Sequence, residues 1–206
     1  RMLLRDKRLE IAFLEVARGG ILRRGLPLTE ATAALVTNIA ADHLGEYGVN
    51  SVDDLAVAKF AVARTLSKDG ILVLNADDHF VVKNGLKSPN HICWFSLKSD
   101  HEQIIEARQN GKICCWVKGG NIEYFDGDNI SFKIAVADIP ITMNGAARFN
   151  IQNAMGALCL AKAMGISNQA ISKALSNFTS TPEDNPGRCN EFTVKGARVF
   201  VDFAHN

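Results

Sequence analysis

Apolar positions fall into short blocks separated by polar, glycine-containing stretches. Leu9 to Val16 (LEIAFLEV) is one apolar run, interrupted by Glu10 and Glu15, and Ala34 to Ile39 (ALVTNI) is a second. Both read as buried strands. Ile71 to Leu74 is a third, ending at Asn75-Ala76-Asp77-Asp78, and His91 to Phe95 is a fourth. Between the second and third, Ser51-Val52-Asp53-Asp54 has the form of a capping box. It opens a helix from Leu55 to Ser67 with apolar residues at Leu55, Ala58, Val62 and Leu66, closed by Gly70.

From Lys112 to Thr142 the period shortens. KICCWVK, NIEYF, ISFKIAV and IPITM are four strand-like runs parted by turn residues, which predicts a small antiparallel β patch. Asn150 to Met164 is strongly helical and closed by Gly165. Ser167 caps a second helix through Phe178, and Cys189 to Val194 and Ala197 to Phe203 read as two last strands. The whole predicts an α/β fold: a mostly parallel sheet flanked by helices, with an antiparallel patch around 112–142. In such sheets ligands collect beyond the carboxyl ends of the strands.

Composition narrows the partners. With 206 residues, 47% hydrophobic content and a net charge of +1, the chain can bury one sizeable core and lacks the basic excess of a nucleic-acid coat. No apolar run reaches the ~18 residues of a membrane span, and the charged start from Arg1 to Arg8 leads into no signal-like segment, so a cytoplasmic protein is expected. The five cysteines are odd in number and hold no C-x-x-C pair. They read as reduced thiols used as small apolar residues.

Polar residues capable of chemistry sit in five islands: Glu15 with Arg18-Gly19-Gly20, Asp42-His43, Lys59, Asn75 with Asp77-Asp78, and Arg188 with Asp202 and His205. Lys59 stands in an apolar helix. It is either a snorkelling side chain with its ammonium in water, or an amine held neutral and converted by carbon dioxide into a carbamate, an oxygen ligand suited to magnesium. Asn75, Asp77 and Asp78 form either a turn that bonds its own backbone or a ligand group. Arg18, Arg23 and Arg24 are surface charges or a guide for an acidic peptide.

Taken in order, LEVARGGILRRGL at Leu14–Leu26, TNIAADHLGEYG at Thr37–Gly48, AKFAV around Lys59, VLNADD at Val73–Asp78, FNIQNAMGAL at Phe149–Leu158, PGRCNEF at Pro186–Phe192 and the terminal VDFAHN resemble the central domain of the Mur ligase family. The ARGGILRRGL string most resembles the branch that adds amino acids such as aspartate or arginine to a growing peptide. The resemblance implies an ATP-dependent ligase in which a carboxylate is phosphorylated and an amine attacks the acyl phosphate. It implies ATP and Mg2+ as cofactors, with Glu15 ligating one magnesium and His43 and a carbamylated Lys59 serving a second. It also implies Asn153 and Asn150 near the adenine, Arg188 near the phosphates and Asp202 near the ribose or the hinge beyond it. Where the family commonly has histidine before the first asparagine of its helix, Phe149 stands.

Expected partners are ATP, a peptide acceptor and an amino acid, with neither nucleic acid nor membrane, and self-association is left open. No G-x-x-x-x-G-K-[ST] occurs within these residues. Residues 1–206 are therefore expected to be a central, ATP-binding domain cut at both ends and inactive by itself. Two alternatives stand beside this: a non-catalytic nucleotide-binding or scaffold domain without a phosphate loop, and a cell-wall or folylpolyglutamate-type ligase.

Overall fold

A computed structural model of the chain describes residues 5–26, 28–41 and 44–203. Its centre is a six-stranded sheet whose order in space is its order in sequence: β1 (Ala31–Val36), β2 (Leu66–Asn75), β3 (His91–Ser96), β4 (Cys114–Lys118), β5 (Asn121–Phe125) and β6 (Ile130–Ala135). The first four strands are parallel, and β5 and β6 continue the sheet antiparallel. Parallel neighbours need crossovers. These are α2 (Val52–Lys59) with a 3-10 turn, α3 (His79–Gly85) and α4 (Glu102–Gln109). A short α1 (Arg18–Arg24) precedes β1, α5 (Arg148–Ala163) and α6 (Asn168–Asn177) follow β6, and β7 (Asn190–Val194) and β8 (Ala197–Val201) form a separate hairpin.

The period-2 geometry of β2 explains why its sequence is apolar throughout. Leu72 and Leu74 face α2, α3 and α4, packing with Leu55, Val81 and Ile104, while Val73 faces the other way onto Met155 and Leu158 of α5. Both faces are covered, so alternation disappears. Gly156 lets α5 approach β1, since a Cβ there would stand 3.1 Å from Leu35 Cδ2. Cys93, Cys114, Cys115 and Cys159 are all buried, and burial pushes the Cys114 thiol up to about 12.

The segment 9–17 is not a strand, contrary to its apolar pattern. A strand exists only as one side of a ladder, and this segment makes none with the described strands. The predicted helix 55–67 is also cut short. Its capping box forms as expected, with Ser51 and Asp54 bonding each other's backbone amides. The last turns tighten into a 3-10 helix because Leu66 must already pair with Ala31. Gly70 therefore lies inside β2, at a kink where a Cβ would meet Ser67 O at 3.0 Å, and does not end a helix. IPITM is no strand either: it holds a 3-10 turn, Pro140–Thr142, and the Thr142 hydroxyl, bonded to the carbonyls of Val136 and Ile139, ties it to the 3-10 turn Val136–Asp138 before it.

The antiparallel part is anchored by one buried carboxylate. Glu123 on β5, 6% exposed, accepts from Trp116 Nε1 and from Lys133 Nζ, both at 3.0 Å, and Arg108 lies over the Trp116 ring. Glu123→Ala strands the indole N–H and should cost about 2 kcal/mol in urea unfolding. Lys133→Ala removes a half-exposed partner and should cost under about 1 kcal/mol. Equal costs would show that the buried hydrogen bond is not the governing contact.

Candidate active site at the carboxyl ends of the strands

The loops that leave β1, β2 and β3 are tied to one another by side chains of the turn after β2. Asn75, almost fully buried, accepts the Asp77 amide at 2.9 Å. Asp78 accepts the Ile39 amide beyond β1 at 2.8 Å with one oxygen and caps α3 through the Val81 amide at 2.9 Å with the other. Asp77 accepts from Ser96 Oγ at 2.6 Å, the Leu97 amide at 2.8 Å and Gln152 Nε2 of α5 at 3.0 Å. These bonds make the Asn75–Asp78 segment a turn that serves the backbone.

Beside this turn Lys59, at the end of α2, donates from Nζ to the Asn38 carbonyl at 2.9 Å. Its ammonium is thus drawn to the loop after β1. Lys59, Asn38 and Thr37 line a cavity of about 970 Å³ whose opposite wall is the segment carrying Glu15 and Arg18. Arg18 does not steer solvent anions: its side chain is 12% exposed and Nη2 pairs with Glu46 Oε2 at 2.8 Å on the same wall. Arg23 lies 4.8 Å from the Tyr47 ring. Glu15, Thr37 and Asn38 each bring oxygen atoms to the lining of this cavity, and oxygen is the ligand type magnesium takes.

The other anticipated residues among the described ones form two further groups, and neither group lines that cavity. At the start of α5, Asn150 Nδ2 donates to the Ile141 carbonyl at 2.7 Å, and the exposed Asn153 donates to Asn150 Oδ1 at 3.4 Å. At the base of the β7–β8 hairpin, Asp202 accepts from the amide and thiol of Cys189 at 2.8 and 3.3 Å, next to the exposed Arg188. Asp42, His43 and His205 lie outside the described residues. Thr37, Asn38 and Glu46 lie within the TNIAADHLGEYG stretch, but nothing in the residues themselves singled them out from it. Gln152 could have been found, since it stands one helical step from Asn153 on the turn that meets the sheet.

With this geometry in place, comparison with known proteins is informative. The family model described as the Mur ligase middle domain matches residues 2–161. The chain belongs to that family. Across the whole chain this Mur ligase middle domain is 37% identical over 205 residues to a cyanophycin synthetase of Nostoc sp., and 35% identical over 208 residues to that of Synechocystis sp.. It spans 23% and 24% of the length of those two proteins. A UDP-N-acetylmuramoylalanine--D-glutamate ligase of Acidobacterium capsulatum is 29% identical over 145 residues, 70% of this chain and 28% of that one. The fold is shared with crystalline MurF from Acinetobacter baumannii, at a TM-score of 0.54 and 20% identity over 84% of this chain and 34% of that chain.

The Asp202–Cys189 contact gives this domain a chemical handle. The hydrogen bond to Asp202 and its negative charge push the Cys189 thiol up, so the thiolate fraction at pH 8 is small. Asp202→Asn should speed iodoacetamide labelling of Cys189 several-fold, while the four buried cysteines stay unlabelled until the protein unfolds. Peptide mapping of the label checks both, and an unchanged Cys189 rate would show that the contact does not control it.

Proposed function

We propose that this domain is the nucleotide-binding part of an ATP-dependent ligase of the cyanophycin synthetase type, which joins an amino group to a carboxylate of a peptide. The reading is supported above all by one juxtaposition: Glu15 and Lys59, 44 positions apart by their own numbers, line one cavity that runs along β1 to the loop beyond it. Identity to cyanophycin synthetases along the entire chain supports the branch, with aspartate and arginine as incoming amino acids and an acyl phosphate as the activated form.

In this reading Glu15 would hold a magnesium ion through its carboxylate. His43 and Lys59, the latter as a carbamate, would serve a second one. Bound magnesium would offset charge on the transferring phosphoryl group. Asn150 and Asn153 offer amides to the adenine from the first turns of α5, where an amide both donates and accepts. Arg188 meets the phosphates and Asp202 the ribose, which requires the hairpin base to approach the nucleotide. Residues 1–206 then act as a central domain within a longer ligase, soluble in the cytoplasm.

Lys59 discriminates best. In the longer ligase Lys59→Ala should lower ATP-dependent ligation by about 100-fold, a loss of roughly 2.7 kcal/mol of transition-state stabilisation. Added formate or acetate should restore part of it by returning an oxyanion to the vacated space. Phosphate release by residues 1–206 alone should stay at background, since no phosphate loop lies among them. Near-normal ligation by Lys59→Ala in bicarbonate-free buffer would remove Lys59 from the chemistry and leave it as a strap on the Asn38 loop.

A further inference from the structure

A second cavity, of about 570 Å³, opens at the opposite end of the sheet, at the amino ends of β2, β3 and β4 between the close of α3 and the exposed flank of α4. Its floor holds Trp94 and Gln103, each 6% exposed. The six-membered ring of Trp94 is pressed under Gly85, where a Cβ would stand 2.6 Å from Cη2. That contact fixes the indole on one side.

Neither the Trp94 indole N–H nor the Gln103 side-chain amide is hydrogen-bonded to another described residue. The only sealed side-chain atom without a partner among the described residues is Ser131 Oγ, so the polar atoms of Trp94 and Gln103 keep access to solvent, and both residues line the cavity. The contrast with Trp116 is direct, because that equally buried indole is given Glu123. Polar groups that the protein leaves unmatched, on two residues otherwise buried, are open to a partner from outside.

The donor pattern selects the partner. Trp94 offers one N–H, and Gln103 offers an NH2 and a carbonyl oxygen. All three are neutral, so a buried ion would lose its hydration without a counter-charge at the floor. Asp69, Glu106 and Lys112 at the rim are of mixed sign and select no charge. A carboxamide is the complement: its oxygen accepts from the indole, and its NH2 and oxygen match the Gln103 amide. Apolar walls from Ile71, Ile92 and Ala107 suit the short alkyl stem behind such a group.

We propose that this cavity is a binding site for a neutral primary carboxamide, either a free small molecule or an amide side chain on a peptide. The site is independent of the ligase reading, since it shares no residue with the cavity of Glu15 and Lys59. The chain has two tryptophans, so its nitrogen-15 spectrum carries two indole N–H signals, and Trp94→Phe identifies one of them. Propionamide or acetyl-Gly-Asn-Gly-amide should move the Trp94 signal saturably, with a midpoint on the order of 10 mM, while the Trp116 signal stays. Saturation by propionamide identifies a free amide as sufficient, and saturation by the peptide alone identifies a side-chain source. Gln103→Met keeps the length and should weaken binding about tenfold, Gln103→Glu should do the same, and propionate should bind at least tenfold less tightly than propionamide. A Trp94 signal that stays still or drifts without saturation, titrates in both Gln103 variants with the midpoint of the unsubstituted protein, or responds as strongly to propionate overturns the proposal.

Discussion

At the carboxyl end of a parallel sheet the backbone amides lose their ladder partners together, just where the loops must hold fixed positions. Here two adjacent carboxylates supply the missing acceptors. Asp78 takes an amide from beyond β1 and one from the first turn of α3, while Asp77 takes a hydroxyl and an amide from the end of β3 and an amide from α5. Hydrogen bonds to charged groups are worth about 1.5–3 kcal/mol each, so five of them on one turn define the geometry of that end of the molecule. Lys59 adds a grip on the Asn38 carbonyl, one residue before the amide that Asp78 holds.

This clamp separates two tasks that the sequence writes close together. VLNADD reads as a possible ligand group, yet its acidic side chains are committed to backbone amides and to the side chains of Ser96 and Gln152. Neither acid lines the cavity of Glu15 and Lys59, whose lining does include Thr37 and Asn38 from the loop after β1. The candidate chemistry therefore rests on residues that are only indirectly stiffened, through Asp78 on one wall and the Arg18–Glu46 pair on the other. Asn150 and Asn153 gain their fixity in the same indirect way, because Gln152 between them is bound to Asp77.

How much of this was legible depends on whether the deciding force is local. The capping box at Ser51, the Ser167 cap and the apolar run of β3 were readable because the residues that specify them lie within a few positions of each other. Residues 9–17 and IPITM were misread because both have strand-like side chains. The first has no strand to pair with among the described residues, and the second is captured by the Thr142 hydroxyl. Gly70 looked like a helix stop, but a register set by Ala31, far away in sequence, placed it in a strand. In the site, Glu15 and Lys59 were singled out through family resemblance, whereas the burial of Arg18 required Glu46, 28 positions on.

Because the strands lie side by side in the order in which they are written, the sheet can be assembled from its first strand outward as the chain emerges during synthesis. Each new strand finds its neighbour already in place, and each crossover closes a short loop, which keeps sequence separations small and pairing fast. The exception is α5, which covers β1 to β4 from the far side and is made only after all six strands. Until it docks, the face bearing Val73, Cys93, Phe95 and Cys115 is bare. A nascent chain stalled between β6 and α5 would thus expose a sticky apolar plate with reactive thiols, the stage at which a chaperone has most to protect.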